Sequence, residues 1–220
     1  MSNAASLSAW RLYVIVDKAA AKARDLAWIA DRAIRGGADV IQLRDKAASA
    51  QALIEEAKRC VQLTKAAGVP LIINDRVDVA VAVGADGVHL GQDDLPVSVA
   101  RQILGPGRII GASTHSLKQA LEADRAGVDY LAVGPIYPTP TKPEASSVGA
   151  SLISQVKAQV QRPLVTIGGI DQTTLPEVLA AGATCVAVVR AVCGAEHPEA
   201  AARALKDTLT RALHVSTSPT

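Results

Sequence analysis

The chain has 220 residues, 49% hydrophobic and 20% charged, and its 23 Lys and Arg against 21 Asp and Glu leave a formal net charge of +2. That balance, without a dense Lys/Arg run interleaved with aromatics, argues against nucleic acid as a partner, and no apolar run approaches the roughly 20 residues that span a bilayer. With no Phe, two Trp and three Tyr, the core must be packed from Ala, Val, Leu and Ile, as in parallel strands covered by helices.

The opening "MSNAASLSAWR" has neither a basic n-region nor a long apolar h-region, so it does not read as a secretory signal. Residues 1–11 are expected to be poorly ordered, residues 12–214 to form one domain, and residues 215–220 to be a flexible tail. A cytoplasmic location is expected. Cys60, Cys185 and Cys193 are an odd, widely spread set without a CxxC, read as buried inert thiols rather than a disulfide framework or zinc site.

Along the chain, strand patterns fall near 12–16, 40–44, 70–74, 87–90, 109–113, 130–134, 163–167 and 185–189. Helical patterns lie between and after them, near 25–36, 49–67, 77–83, 97–104, 116–126, 149–160, 173–181 and 198–213. A weak repeat sets the rhythm: "RGGADVIQLR", "VGADGVHLG", "RAGVDYLAVG" and "AAGATCVAVV". Each stops a helix with Gly and enters a short β-branched strand within a few residues. Eight alternating units of this length predict a (β/α)₈ TIM barrel in one domain. The rival, a doubly wound open sheet, usually carries a GxGxxG turn after its first strand; here that turn reads "VDKAAAKARD".

In a barrel the chemistry sits at the C-terminal ends of the strands. Strand two ends "VIQLRDK", and period-2 alternation puts Gln42, Arg44 and Lys46 on the inner face, with Ile41 and Leu43 against the helices. Two inward cations call for an anion, or Arg44 is held by an Asp in a structural pair. Strand three ends in Asn74, Asp75 and Arg76. Asp94 follows strand four and lies one βα unit from Asp75. Two carboxylates at neighbouring mouths can repel, share a proton or bind a hard cation. The plainer alternative pairs Asp75 with Arg76 or Arg44 and leaves Asp94 capping the next helix, where Pro96 suits the first turn. His89, inside strand four, reads as a buried, hydrogen-bonded histidine, while His115 can approach the mouth and His197 and His214 read as surface residues. Strand five ends at Ser113. Strand six runs into "VGPIYPTPTKPEASSVG", a long connection read as a lid that brings Thr139, Thr141 and Lys142. Strand seven ends in Gly168 and Gly169, and strand eight in Arg190, where barrels often bind phosphate. Cations and hydroxyls from several strands, with carboxylates from two, suit two anionic groups, one with a metal. No GxSxG elbow points to acyl transfer.

The ordered motifs "QLRDK", "INDR", "GADGVHLGQDDL", "GAS.H", "DY.AVGPIYPTPTK", "IGGI" and "VAVV" resemble those of the thiamine-phosphate synthase (thiamine-phosphate pyrophosphorylase) family over about residues 12–192. The resemblance implies a barrel enzyme, a transferase. It joins hydroxymethylpyrimidine diphosphate to hydroxyethylthiazole phosphate, with Mg²⁺, and releases pyrophosphate and thiamine phosphate by a dissociative substitution. Carried over by motif, Gln42, Leu43, Arg44, Asp45, Lys46, Asn74, Ser113 and Lys142 hold the pyrimidine diphosphate. Arg44, Lys46 and Lys142 stabilise the leaving group. Asp75 and Asp94 hold Mg²⁺. Thr139, Pro140, Thr141, Gly169, Val189 and Arg190 hold the thiazole phosphate. Many family members carry Ser where this chain has Arg190, which here either binds phosphate or points outward. The partners implied are small phosphorylated molecules, with no nucleic acid and no membrane. A homo-oligomer is compatible with the sequence but not legible in it. Two rivals remain at this point: a thiazole tautomerase of the same barrel family, and a non-catalytic thiamine-phosphate or phosphate sensor.

Overall fold

The computed structural model describes residues 7–142 and 145–215. Eight strands close into a ring in chain order: β1 (Leu12–Asp17), β2 (Val40–Arg44), β3 (Leu71–Asn74), β4 (Gly87–Leu90), β5 (Ile109–Thr114), β6 (Tyr130–Val133), β7 (Leu164–Ile167) and β8 (Val186–Val188). Every neighbouring pair is parallel, and β8 returns to β1 through Leu12 beside Val186. The expected barrel is therefore present, and the open sheet is excluded. Between and after the strands run α1 (Lys18–Ala21), α2 (Leu26–Arg35), α3 (Ala50–Ala67), α4 (Val77–Val83), α5 (Val97–Leu104), α6 (Leu117–Arg125), α7 (Ser151–Lys157), α8 (Leu175–Ala180), α9 (Arg190–Cys193) and α10 (Pro198–Val215). The short α1 and α9 are additions to the sequence reading, and α7 is shorter than the pattern over 149–160 suggested.

Alternation decides which side chains face the axis. In β1, Leu12, Val14 and Val16 enter the layer between strands and helices, while Tyr13 and Ile15 turn inside the ring. In β2, Ile41 and Leu43 go outward, as expected. The helices follow from local signals. Asp25 caps α2, its carboxylate accepting from Trp28 N at 2.7 Å, and Ser49 caps α3 from Ala52 N at 3.2 Å. Each buries an apolar stripe, Leu26, Ile29, Ala30 and Ala33 in α2 and Leu53, Ala57, Cys60 and Val61 in α3.

The sequence repeat has a mechanical basis. Gly37, Gly84, Gly127 and Gly182 all have positive φ (96°, 66°, 81° and 97°), where a β-carbon would be strained. Two residues later stand Asp39, Asp86, Asp129 and, in the fourth copy, Thr184. Each Asp clasps the start of the preceding strand. Its carboxylate accepts from Leu12 N (2.9 Å), Leu71 N (2.8 Å) or Ile110 N (2.8 Å). Its own N–H donates to the carbonyl of the same residue, at 2.8, 3.0 and 2.7 Å. Strand ends at the barrel floor are thus satisfied without a β-ladder beyond them.

Ahead of β1, residues 7–11 pack onto the barrel. Leu7 and Trp10 are 3% and 6% exposed and plug the floor. The Trp10 ring meets Tyr13 and Tyr130 edge-on, with centroids 6.0 and 5.6 Å apart. Isolated apolar residues in a short segment carry no periodicity, so the sequence pattern did not reveal this plug. Residues 1–6 and 216–220 lie outside the described residues, as does the side chain of His214; His197 is exposed as expected. The three Cys are free and buried. Burial raises all three thiols, Cys60 to about 12, so none is a ready thiolate.

Candidate active site

A cavity of about 450 Å³ opens at the C-terminal ends of the strands. Its wall gathers Gln42, Arg44, Asn74, Ser113, Thr139, Pro140, Thr141, Lys142, Gly169, Val189 and Arg190, all of them expected site residues. Apolar Ile15, Ala132, Ile167 and Ala187 line it between these polar groups. Its other polar lining residues include His89, His115 and Asp171, none of which was expected as a substrate contact.

On the β2 side, Arg44 pairs with buried Asp17, whose other carboxylate oxygen accepts from Ala20 N at 2.8 Å and so starts α1. The pairing that sequence reading held open as structural is therefore real, and Arg44 still faces the cavity. Asp17 aims the guanidinium rather than removing it. Leu43 turns its side chain outward, so only its backbone is offered to the mouth. The Asp45 carboxylate accepts from Ala47 N and Ala48 N at 3.0 and 3.1 Å, shaping the turn after β2. Leu43, Asp45, Lys46, Asp75 and Asp94 are not in the cavity wall itself.

Asp75 sits at φ +61°, a left-handed conformation that Asp tolerates better than most residues. Its N–H is held by His89 O at 2.8 Å. Its carboxylate lies 3.2 Å from Lys46 Nζ. Arg76 is turned away, forming a forked pair with Asp78 at 2.8 and 2.6 Å. Neither Arg76 nor Arg44 is the partner of Asp75. Burial, then the facing Asp94 carboxylate, push the Asp75 pKa up, with Lys46 acting against them. Asp94 does not cap α5: Pro96 occupies the N-cap, and the Asp94 carboxylate accepts from Gly91 N at 2.6 Å instead. Asp75 and Asp94 are thus two crowded carboxylates, a donor pair that a hard divalent cation relieves.

His89 is buried, with Nδ1 2.9 Å from Tyr130 OH and Nε2 2.9 Å from Ser113 Oγ. Burial first, and Lys142 second, push its pKa down to about 3, so it is neutral near pH 7. His115 Nδ1 bonds Gly134 O.

The loop after β6 is zipped onto the end of β7, with Ile136 N to Ile167 O at 2.9 Å and Tyr137 N to Gly168 O at 3.0 Å. A β-carbon on Gly168 would lie 2.3 Å from Pro135 Cα, and one on Gly169 2.7 Å from Tyr137 Cβ. The glycine pair, both members of which line the cavity, therefore lets the loop close down. Asp171 also lines this side, but its carboxylate is occupied. The Thr173 hydroxyl, followed by the Thr174 and Thr173 N–H groups, holds its pKa below the usual range. Arg190 begins α9 and is exposed while lining the cavity. Outward and cavity-lining thus describe the same side chain.

Comparison with known proteins accords with this geometry. A family model described as thiamine monophosphate synthase matches residues 12–192. The thiamine-phosphate synthase of Chloroflexus aurantiacus is 50% identical over 198 residues, covering 90% of this chain and 91% of that protein. That of Shouchella clausii is 46% identical over 197 residues, covering 89% and 94%. Among solved structures, a thiamine phosphate pyrophosphorylase from Pyrococcus furiosus matches with a TM-score of 0.87 at 39% identity, covering 94% of this chain and 98% of its own. Sequence and barrel agree across nearly the whole domain, and the chain belongs to the thiamine monophosphate synthase family.

Proposed function

We propose that this cavity joins an aminopyrimidine methyl diphosphate to a thiazole ethyl phosphate, yielding thiamine phosphate and pyrophosphate. The observation that carries the reading is one cavity whose wall brings together polar groups from β2, β3 and β5 and from the segments after β6, β7 and β8, with apolar residues between them. Gln42, Arg44, Asn74 and Ser113 come from β2, β3 and β5; with Lys142 they take the pyrimidine diphosphate. The backbone at Leu43 and Asp45, and Lys46 at the rim, extend that set. Thr139, Pro140, Thr141, Gly169, Val189 and Arg190 lie on the β6 loop and beyond β7 and β8; they take the thiazole phosphate. Arg190 substitutes a charged fork for the hydroxyl common in the family.

Asp75 and Asp94 fit Mg²⁺, which favours one or two carboxylates together with waters and substrate phosphates. When bound, Mg²⁺ neutralises charge on the diphosphate. Arg44, Lys46 and Lys142 do the same from the protein as the bond between the methylene carbon and the diphosphate oxygen breaks. The aminopyrimidine ring spreads the positive charge left on that carbon. The thiazole nitrogen, held nearby, donates its pair and the new carbon–nitrogen bond forms. No proton need move and no side-chain nucleophile is needed, so positioning and electrostatics carry the rate. The phosphorylated substrates suit a cytoplasmic enzyme. Among the described residues, no helix is long and apolar enough to cross a membrane.

The test is one incubation of both substrates with and without Mg²⁺, following pyrophosphate and thiamine phosphate. Equal amounts of the two products, dependent on Mg²⁺, are expected. In Asp75→Asn, which tolerates the same backbone, the rate falls chiefly through weaker Mg²⁺-dependent diphosphate binding. No product from folded protein refutes the reading and returns the tautomerase or the sensor; an unchanged Mg²⁺ dependence in Asp75→Asn removes that carboxylate from the metal site.

A further inference from the structure

Beneath the cavity a chain of polar side chains crosses an otherwise apolar barrel interior. Gln42 Nε2 donates to Tyr13 OH at 2.8 Å, and Tyr13 OH lies 2.9 Å from Tyr130 OH. Tyr130 OH lies 2.9 Å from His89 Nδ1, and His89 Nε2 lies 2.9 Å from Ser113 Oγ. Both tyrosines are fully buried and neither lines the cavity, whereas Gln42, His89 and Ser113 do. The chain thus starts and ends at the substrate side of the barrel while its middle is sealed from water. Room for it is reserved: a β-carbon on Gly111 would lie 2.0 Å from the Tyr130 ring.

The hydrogens in such a chain can run in one of two directions. Tyr13 already accepts from Gln42. If His89 Nδ1–H donated to Tyr130 and Tyr130 to Tyr13, the Tyr13 hydrogen would be left without an acceptor in a buried site, a costly arrangement. If Tyr13 donates to Tyr130 and Tyr130 to His89 Nδ1, every group is satisfied. His89 then carries its hydrogen on Nε2 and donates it to Ser113 Oγ. The Ser113 hydroxyl hydrogen is freed toward the cavity. The opposite order would turn that hydrogen onto His89 and present lone pairs to an anion. We infer that Tyr13, Tyr130 and His89 are positioning residues that act as a one-way hydrogen-bond chain, fixing Ser113 as a donor to the substrate diphosphate. The inference rests on the assignment of Ser113 to that diphosphate.

The test uses the intact enzyme labelled with ¹⁵N-histidine, the His89 signal being identified by its loss in His89→Gln. The expected spectrum has Nε2 protonated and Nδ1 bare. Tyr130→Phe keeps the ring packing but removes the hydroxyl. It should mix the His89 tautomers and raise KM for the pyrimidine diphosphate about tenfold, the scale of one hydrogen bond to a charged group. KM for the thiazole phosphate should stay unchanged. A Ser113→Ala variant separates the two readings. If Ser113→Ala raises the pyrimidine diphosphate KM but Tyr130→Phe changes neither that KM nor the tautomer, the chain is refuted and the Ser113 assignment stands. If Ser113→Ala leaves that KM unchanged, the assignment fails and the inferred role of the chain fails with it. A His89 ring protonated on Nδ1 in the unaltered enzyme overturns the inference outright.

Discussion

At the scale of single residues, the mouth is organised by partners that sequence patterning does not name. Alternation along "VIQLRDK" made the inward face of Gln42 and Arg44 legible. It could not show that Asp17 aims Arg44, because that pair depends on the register of β1 against β2, where Asp17 stands beside Arg44. Nor could it join His89 to Tyr130 and Ser113, which lie in three different strands. His89 also carries a testable linkage. Burial moves its pKa from 6.5 to about 3, below the unfolded value. Between those values the unfolded chain binds the proton and the native state does not. The associated stability is fully present above about pH 6.5 and is lost as pH falls toward 3, with a slope of about 1.4 kcal/mol per pH unit where the difference is one proton. Denaturant unfolding of His89→Gln between pH 4.5 and 6 should give a shallower acid slope by about that amount. An unaltered slope would mean that His89 protonates normally in the fold.

At the scale of elements, the repeat was visible as glycine, one or two small or polar residues and a strand, but its purpose was not. The Asp side chain reaches back to the strand before it, a contact absent from any local pattern. Asp129 shows the full device: it accepts from Ile110 N at 2.8 Å and pairs with Arg101 at 2.6 Å. Asp129→Ala leaves a buried strand-end N–H without its acceptor and should destabilise the fold by about 2 kcal/mol. Asp129→Asn keeps an acceptor and should recover part of that loss. Urea midpoints at constant slope measure both, and equal midpoints for Ala and unaltered protein would show that the clasp contributes nothing. The α1 and α9 helices escaped the sequence reading because four residues are too few for a period to register.

For the whole molecule, eight βα units, their order and the barrel were legible, because the period-2 and helical patterns alternate cleanly along the chain. The floor was not. Trp10, with Leu7, fills the end of the ring opposite the catalytic mouth, under Tyr13 and Tyr130. Trp10→Ala should cost about 3–5 kcal/mol, the usual range for removing a buried Trp, and lower the melting temperature accordingly. A melting temperature within a degree of the unaltered protein would show that the plug is dispensable to the barrel.

The placing of that plug also decides what light can report. The two tryptophans of the chain are Trp10, in the floor, and Trp28, 44% exposed on α2. Neither lines the cavity. Tryptophan emission therefore follows the floor and one outer helix, and a fluorescence titration with substrate would be nearly silent even at full occupancy. A Pro138→Trp substitution, in the loop that closes on β7 and in the cavity wall itself, would give the mouth a signal of its own.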